Sequence, residues 1–491
     1  MKHDMLIIIA IILSMTLLAS CAANPDQTII VSKNDGSFDA GVAESAPDSI
    51  EPGASKEIDV IDSFTSTDGT VQFLFDLHET LELGNMPIAE ITPHYLTEED
   101  AKRVANVLFG DADYYEHTPA WDRILTKTEI QECIARWSPY TNTDNLMDLL
   151  GNDLDSYTAK LIADDVKGCI EAYTLMYETA PDGNNRSLSD WQFSPDGSLD
   201  GSEEIRINVI DNGIPYKLDF CRRNQNDFKL NYIYISPDYG SSPWRIDIDI
   251  LNKQICATEK PDEAQIARIG SQAEEMLNDM ELGQWMVDEC YLQPVSLGVY
   301  ELHTIYVNAV PVINGVPAVR RPQLNDLNSK ESYASNYYLT DACFCFSAKG
   351  VLKKFELYST IDIVNVLNEN VATLSMEQLI EEAKKQLSLS DYCGYGLGKE
   401  ILDQMELDYG EDILCKINIC GLDYGLTRVK VPDTDDSYYY LPAVFFSGTI
   451  EYVGKNSGNV YASSGKEIWD EQIITLLGIN AIDGSIIAID N

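Results

Sequence analysis

Turn signals punctuate this chain, and each stands between runs of alternating apolar residues. Ile205, Ile207 and Val209 alternate before Asp211-Asn212-Gly213, residues 300–311 run into Ile313-Asn314-Gly315, and GINAIDGSIIAID near the end turns at Asp483-Gly484. Asn-Gly and Asp-Gly accept the backbone angles of a two-residue hairpin loop, so each predicts two antiparallel strands joined directly. Residues 342–347, with a return through Phe355 and Leu357, and the alternating Ile413, Cys415, Ile417 and Ile419 add further strands. In the last hairpin a two-residue turn pairs Ile482 with Ser485, Ala481 with Ile486 and Ile479 with Ala488. Asp483 is then a turn residue and needs no catalytic role.

Helix signals alternate with these strands. Thr97-Glu98-Glu99-Asp100 opens like a capping box, Ala101, Val104, Ala105 and Leu108 follow at helical spacing, and Gly110 stands where a C-terminal cap belongs. Pro261-Asp262-Glu263 opens a second helix, with Ile266, Ile269, Ala273, Met276 and Met280 on one face. Ser375-Met376-Glu377-Gln378 opens a third, with Leu379, Ile380, Ala383 and Leu387. Two longer helical stretches are expected over 127–137 and 154–177. The starts at Pro261 and Ser375 lie 114 positions apart, and four or so strands follow each. The expected fold is α+β, as tandem modules of a helix on an antiparallel sheet. The expected segments are 58–255, an N-terminal α+β domain; 256–365, one α+β module; and 366–491, a C-terminal module.

The N-terminus reads MKHDMLIIIAIILSMTLLASCAANPD. Lys2 supplies a positive region. The apolar run 5–18 is short for a membrane span and suits a signal-peptide core. Leu18-Ala19-Ser20-Cys21 then resembles the bacterial lipobox, which implies a signal peptide over 1–20 and lipid attachment at Cys21. Two acyl chains hold a protein on a bilayer stably where one does not. The expected location is the outer face of the bacterial cytoplasmic membrane, anchored without spanning it. Residues 21–57 are rich in Ser, Asp, Ala, Gly and Pro and nearly free of aromatics, the composition of a disordered tether.

Asp plus Glu number 80 against 34 Lys plus Arg, a formal net charge of -46. Such a surface repels nucleic-acid phosphates and anionic lipid, so nucleic acid is excluded as a partner. A basic partner or cation capture is the functional alternative to simple solubility.

Sites of chemistry are sparse in the sequence. HExxH, GxSxG and P-loop patterns are missing. Ser463-x-x-Lys466 is a β-lactamase fragment without its companion motifs. Asp196-Gly197-Ser198-Leu199-Asp200-Gly201 begins like a calcium loop, but Ile207 stands where a bidentate glutamate is wanted. Asp433, Asp435 and Asp436 suit a solvated loop. Cys343 and Cys345 share one strand face, too rigidly spaced for an easy mutual disulfide, and zinc with His303 is an alternative use. Ten cysteines remain after Cys21 without a CxxC or framework spacing, so several buried thiols are expected, with at least one disulfide, which an exported protein can form, as the alternative. Trp191, Trp244 and Trp285 are expected as core, with a binding platform as the alternative. No catalytic, cofactor-binding or metal-ligating residue is assigned.

The chain resembles a group of uncharacterised, lipobox-bearing lipoproteins of Firmicutes that share a domain of unknown function. The resemblance is carried by LLASC, by TEEDAKRVANVLFGDADYYE over 97–116, by INGVP over 313–317, by SAKGV over 347–351 and by GINAIDGSI over 478–486. More distantly the modules look like PepSY-type and YycI-like extracytoplasmic modules, which regulate partner proteins such as sensor kinases. Those regulators use a transmembrane anchor where this chain has a lipobox. The lipid anchor, the long tether, the module-like body and the lack of a catalytic motif lead to the expectation of a non-enzymatic interaction or regulatory role in the cell envelope, with an envelope protein as partner and no cofactor. A lipoprotein that binds a cation, peptide or glycan is the alternative, and a hydrolase with a spatially assembled site is a third.

Overall fold

The computed structural model describes residues 54–66, 69–83, 85–112, 114–116, 126–150, 156–181, 191–195, 202–211, 214–225, 228–237, 260–297, 300–319, 341–388, 399–430, 437–463 and 474–487. The expected signal peptide, Cys21 and the expected tether up to residue 53 lie outside them. In chain order the elements begin with β1 (Ala54–Thr65), β2 (Val71–Leu83), β3 (Ile88–Pro93), α1 (Glu98–Phe109) and β4 (Tyr114–Glu116). Next come α2 (Lys127–Trp137), α3 (Thr143–Leu150), α4 (Ser156–Thr179), β5 (Ser194–Pro195), β6 (Glu203–Asp211), β7 (Ile214–Gln225) and β8 (Phe228–Pro237). Then follow α5 (Glu263–Asp279), β9 (Trp285–Leu297), β10 (Tyr300–Ile313), β11 (Val316–Pro317), β12 (Asp341–Ser347), β13 (Leu352–Tyr358) and β14 (Ile361–Asn368). The last elements are α6 (Met376–Ser388), α7 (Lys399–Tyr409), β15 (Ile413–Lys430), β16 (Tyr438–Gly454), β17 (Val460–Ser463), β18 (Ile474–Asn480) and β19 (Ile486–Ile487). The fold is α+β.

Among the described residues the chain forms two compact units. One holds the residues up to Ile91 and those from Ile363 onward; the other holds Thr92 to Asp362. In the first unit the strands run β1-β2-β15-β16-β18-β19, with β17 beside β16 and β3 beside both β16 and β14. β2 and β15 pair in parallel, Val71 with Cys415 through Phe75 with Ile419, whereas β15 and β16 form a long antiparallel hairpin. Met376, Leu379, Ile380, Ala383 and Leu387 of α6 pack with Phe73, Phe75, Ile417, Val444 and Phe446 of this sheet. The predicted face of the third helix is therefore its core face. Ser375 and Gln378 close that helix's N-terminus reciprocally, by bonds of 3.3 and 2.9 Å.

In the second unit the strands run β11-β10-β12-β13-β8-β7-β6-β4, with β5 beside β6 and β9 beside β10. Every pairing in this sheet with a defined register is antiparallel. Ala101, Val104 and Ala105 of α1 and Ile269, Ala273 and Leu277 of α5 pack on its apolar face, against Ile305, Val307, Phe344 and Phe355. Thr97 caps α1 in a capping box with Asp100, and the Gly110 N–H closes the other end on the Asn106 carbonyl. Asp262 caps α5. Helices α2 and α4 have a separate small core around Trp137 and Tyr173, whose rings meet edge-on at 5.7 Å.

A helix followed by the same strand sequence occurs in each unit. After α5 come β9 and β10, a short β11 folded back on β10, then β12 and β13; after α6 and α7 come β15, β16, β17, β18 and β19 with the same neighbour relations. The three consecutive segments expected from the sequence are nonetheless not three sheets. The strands of 256–365 up to Tyr358 continue, through β13 beside β8, the sheet begun by the strands before residue 255. The strands of 366–491 complete a sheet with β1, β2 and β3. Main-chain pairing at sheet edges draws together segments distant in sequence, and spacing alone does not record it. β1 also begins at Ala54, inside the stretch 21–57 expected as tether, because its ladder with β2 extends to Ala54 opposite Leu83.

The last hairpin exists in another register. Ile479 pairs with Ile486 and Gly478 with Ile487, and the Asn480 N–H donates to the Ser485 carbonyl, so the turn between them spans 481–484. Asn480 Oδ1 accepts from the Ile482 N–H at 2.9 Å, and Asp483 Oδ1 accepts from the Ser485 N–H at 2.9 Å. Gly484 takes φ +76° and donates to the Asn480 carbonyl. Side-chain caps from Asn480 and Asp483 stabilise a four-residue turn over the two-residue one. Asp483 remains a turn residue.

Candidate functional site

A cavity of about 340 Å³ lies where α5 begins in the second unit. Asp262 Oδ1 accepts from the Gln265 N–H at 2.7 Å, and the Gln265 side chain reaches the Ala348 carbonyl at 2.5 Å, tying the helix start to the turn before β13. Cys290 Sγ on β9 donates to the Ile266 carbonyl at 3.5 Å and holds the first turn over the β9–β10 hairpin. That hairpin sets His303 opposite Pro294 and Leu292 opposite Ile305. The cavity is lined by Lys260, Pro261 and Glu263 from the chain entering α5, by Ile266 on its first turn, and by Leu292, Pro294 and His303 from the strands. His303 is 5% exposed, whereas Lys260 and Glu263 are exposed at the mouth.

A second cluster surrounds His94. Its Nδ1 lies 2.9 Å from Asp362 Oδ1 and its Nε2 lies 3.1 Å from Asp100 Oδ2. Asp100 Oδ2 also accepts from the Thr97 N–H and hydroxyl, and Asp100 Oδ1 accepts from Arg103. The Asp100 hydrogen bond raises the His94 pKa above its ordinary value, against the opposing effect of burial. Burial alone would raise the Asp100 carboxyl; bonds from His94 and Thr97 outweigh it and lower the pKa to about 2. Both ring nitrogens and both carboxylate oxygens are thus committed to neighbours. His78 is held similarly, between Asp59 at 2.9 Å and Asp76 at 3.0 Å. Glu411 accepts from the Asn456 and Ser457 N–H groups, the Ser457 hydroxyl and Tyr461, which hold its carboxyl down to about 2. These constellations fasten a helix start, a strand pair and a turn.

Cys343 and Cys345 lie on the sheet face away from the α5 core. Register sets Cys345 between Tyr306 of β10 and Lys354 of β13. The hydrogen bond to Cys343 and then burial push the Cys345 thiol far up, although Lys354 acts the other way. His303, an odd-numbered neighbour of the core residues Ile305 and Val307, belongs to the opposite face of β10. The zinc combination of these three residues is therefore overturned by strand alternation. Among the described residues no group of three or more His, Cys, Asp or Glu is placed to hold a metal ion.

Of the eight described cysteines, Cys169, Cys221, Cys345 and Cys415 are buried. Trp285 is buried and donates to the Leu282 carbonyl at 3.3 Å, and Trp191 packs edge-on against Tyr114 at 5.4 Å. Both are core, as expected. Asp196–Gly201, Trp244, Lys466, Asp433, Asp435 and Asp436 lie outside the described residues. Sequence reading missed the cavity. It took Pro261-Asp262-Glu263 as a helix start and His303 as an isolated histidine, and only the strand register brings them to one wall.

The outer side of α4 is a further surface feature. Ala159, Ala163, Val166, Cys169 and Tyr173 are buried, yet Tyr157 (71% exposed), Leu161 (49%) and Leu175 (70%) are on the other side, and Met176 (44%) is exposed at the flank. At 3.6 residues per turn Tyr157, Leu161 and Leu175 share one side, as two apolar spots about 21 Å apart along the axis with exposed Asp164 and Glu171 between them, and Met176 stands about 100° round from Leu175. Apolar residues on both sides of one surface helix are unusual for a helix that needs only one partner.

No family model matches the chain, and no curated protein matches it. Among solved structures it is similar to an uncharacterized protein from Eubacterium rectale, at 14% identity over 58% of this chain and 76% of that one, with a TM-score of 0.29. That likeness is too low to carry an argument.

Proposed function

We propose that this chain is a lipid-anchored extracytoplasmic protein, attached at Cys21 to the outer face of the bacterial cytoplasmic membrane, with a non-enzymatic interaction or regulatory role toward an envelope protein. The observation that carries the reading is the apolar surface that α4 exposes away from its core, Tyr157 with Leu161 near its start and Leu175 with Met176 near its end. Exposed apolar surface beyond what a helix's own core uses marks interaction sites, and two such spots along one outward side suit a partner that lies along the helix. The internal commitment of His94, Asp100, His78 and Glu411 supports the same reading, as does the resemblance to envelope lipoproteins. A photocrosslinking residue at Leu161 or Leu175 in intact cells is expected to capture one discrete envelope protein. Capture no greater than from the exposed, polar Glu275 of α5 overturns it. Cys21→Ser is expected to move the protein out of the membrane fraction.

A second reading, capture of a small ligand, is favoured by the cavity beside α5.

A further inference from the structure

We infer that the cavity beside α5 binds a small zwitterion with an apolar body, the chemistry of a free apolar amino acid. The inference rests on the ligand-capture reading and names its ligand class.

The size argues first. Ligand cavities run from about 300 to 1,000 Å³, and one of about 340 Å³ suits a molecule at the small end. The wall argues next. Ile266 and Leu292, with two prolines, offer rigid apolar surface to an aliphatic or aromatic side chain. The charges then select the polar end. Lys260 supplies a cation and Glu263 an anion, three residues apart on the chain entering the helix. Their charges cancel, so a ligand with one net charge gains one ion pair and meets one repulsion. A zwitterion pairs its carboxylate with Lys260 and its ammonium with Glu263. The anionic surface at -46 further disfavours a net anion. His303, itself 5% exposed, adds a polar side chain to the wall.

Calorimetric titration of the soluble chain lacking residues 1–20, with Cys21 replaced by Ser, tests this. The probes are L-leucine and L-phenylalanine, 4-methylpentanoate as the acid without the amine, and isoamylamine as the amine without the acid. Saturable millimolar or tighter binding of an amino acid is expected, with the two truncated probes weaker by about ten-fold or more, the loss of one charge-assisted hydrogen bond. Lys260→Met and Glu263→Gln alter exposed side chains and leave folding intact. Each is expected to weaken amino-acid binding by about ten-fold, and Lys260→Met to leave isoamylamine unaffected. Binding of a truncated probe as tight as leucine overturns the zwitterion while sparing the cavity as a ligand site. No heat from any probe overturns both. Unchanged leucine affinity in both variants places binding elsewhere and overturns the inference.

Discussion

His94 Nε2 lies 3.1 Å from Oδ2 of Asp100, the same oxygen that caps α1 through Thr97. One carboxylate therefore serves a histidine, a helix start and an arginine. The stability it confers has two pH edges. The raised His94 pKa gives stabilisation that is complete below about 6.5, the unfolded value, and is lost as pH climbs through the folded one. The lowered Asp100 pKa gives stabilisation that is complete above about 3.9 and is lost as pH falls toward about 2. Asp100→Asn should flatten both edges and cost about 1–3 kcal/mol near pH 6. Urea midpoints measured from pH 3 to 9 check this; an unaltered pH profile in the variant contradicts it.

Gly448 predicts a steric failure. It pairs with Ile419 beside the β-bulge in β15, and a Cβ built on it would stand 1.8 Å from the Asn418 carbonyl oxygen. That neighbour is backbone in the longest hairpin of the sheet and has no rotamer through which to yield. Gly448→Ala should cost about 3 kcal/mol or more, measured by denaturant titration. A loss under about 1 kcal/mol would mean that the two strands part easily there.

The thiols of Cys343 and Cys345 should react unequally. Cys345 is 3% exposed, and its proton is held by Cys343 and by burial. Thiolate is the reactive form, so native protein at pH 8 should alkylate Cys343 well before Cys345. Peptide mapping after a timed iodoacetamide pulse reads the order. Equal labelling would show that the outer face of β12 opens freely.

Removal of residues 478–491 should destabilise the first unit. It deletes Ile479, at 0% exposure, and Ile487, at 3%, and with Ala481 it removes the acceptor of the Leu374 N–H. Two buried isoleucines alone correspond to about 3–6 kcal/mol. A scanning calorimetry trace should show a lower transition, and a truncated chain melting at the full-length temperature would assign the hairpin no structural weight.

The local elements were legible because their causes are local. Thr97 with Asp100, Asp262 with Gln265, and Ser375 with Gln378 cap helices through contacts three residues apart. Ile313 pairs with Val316 across Asn314-Gly315 as that dipeptide dictates. Where several turns were sterically open, as at Asp483-Gly484, side-chain caps decided the register and periodicity was silent. Sheet membership was illegible: nothing around Val71 or Cys415 announces the other. The cavity was hidden for the same reason, since Glu263 and His303 meet only after β9 and β10 pair.

The parallel pairing of Val71 with Cys415 sets an order of events during synthesis. The two positions are 344 residues apart. At about 5–20 residues per second, β2 waits roughly 17–70 s for its inner neighbour to be made. The second unit, contiguous across Thr92 to Asp362 in its described part, has all its strands available earlier. An apolar strand such as β2, kept waiting with one edge open, invites pairing with the wrong chain. Mutual repulsion among nascent chains carrying 80 acidic residues against 34 basic ones opposes such encounters. On this account the acidity protects the chain during assembly as well as in its finished form.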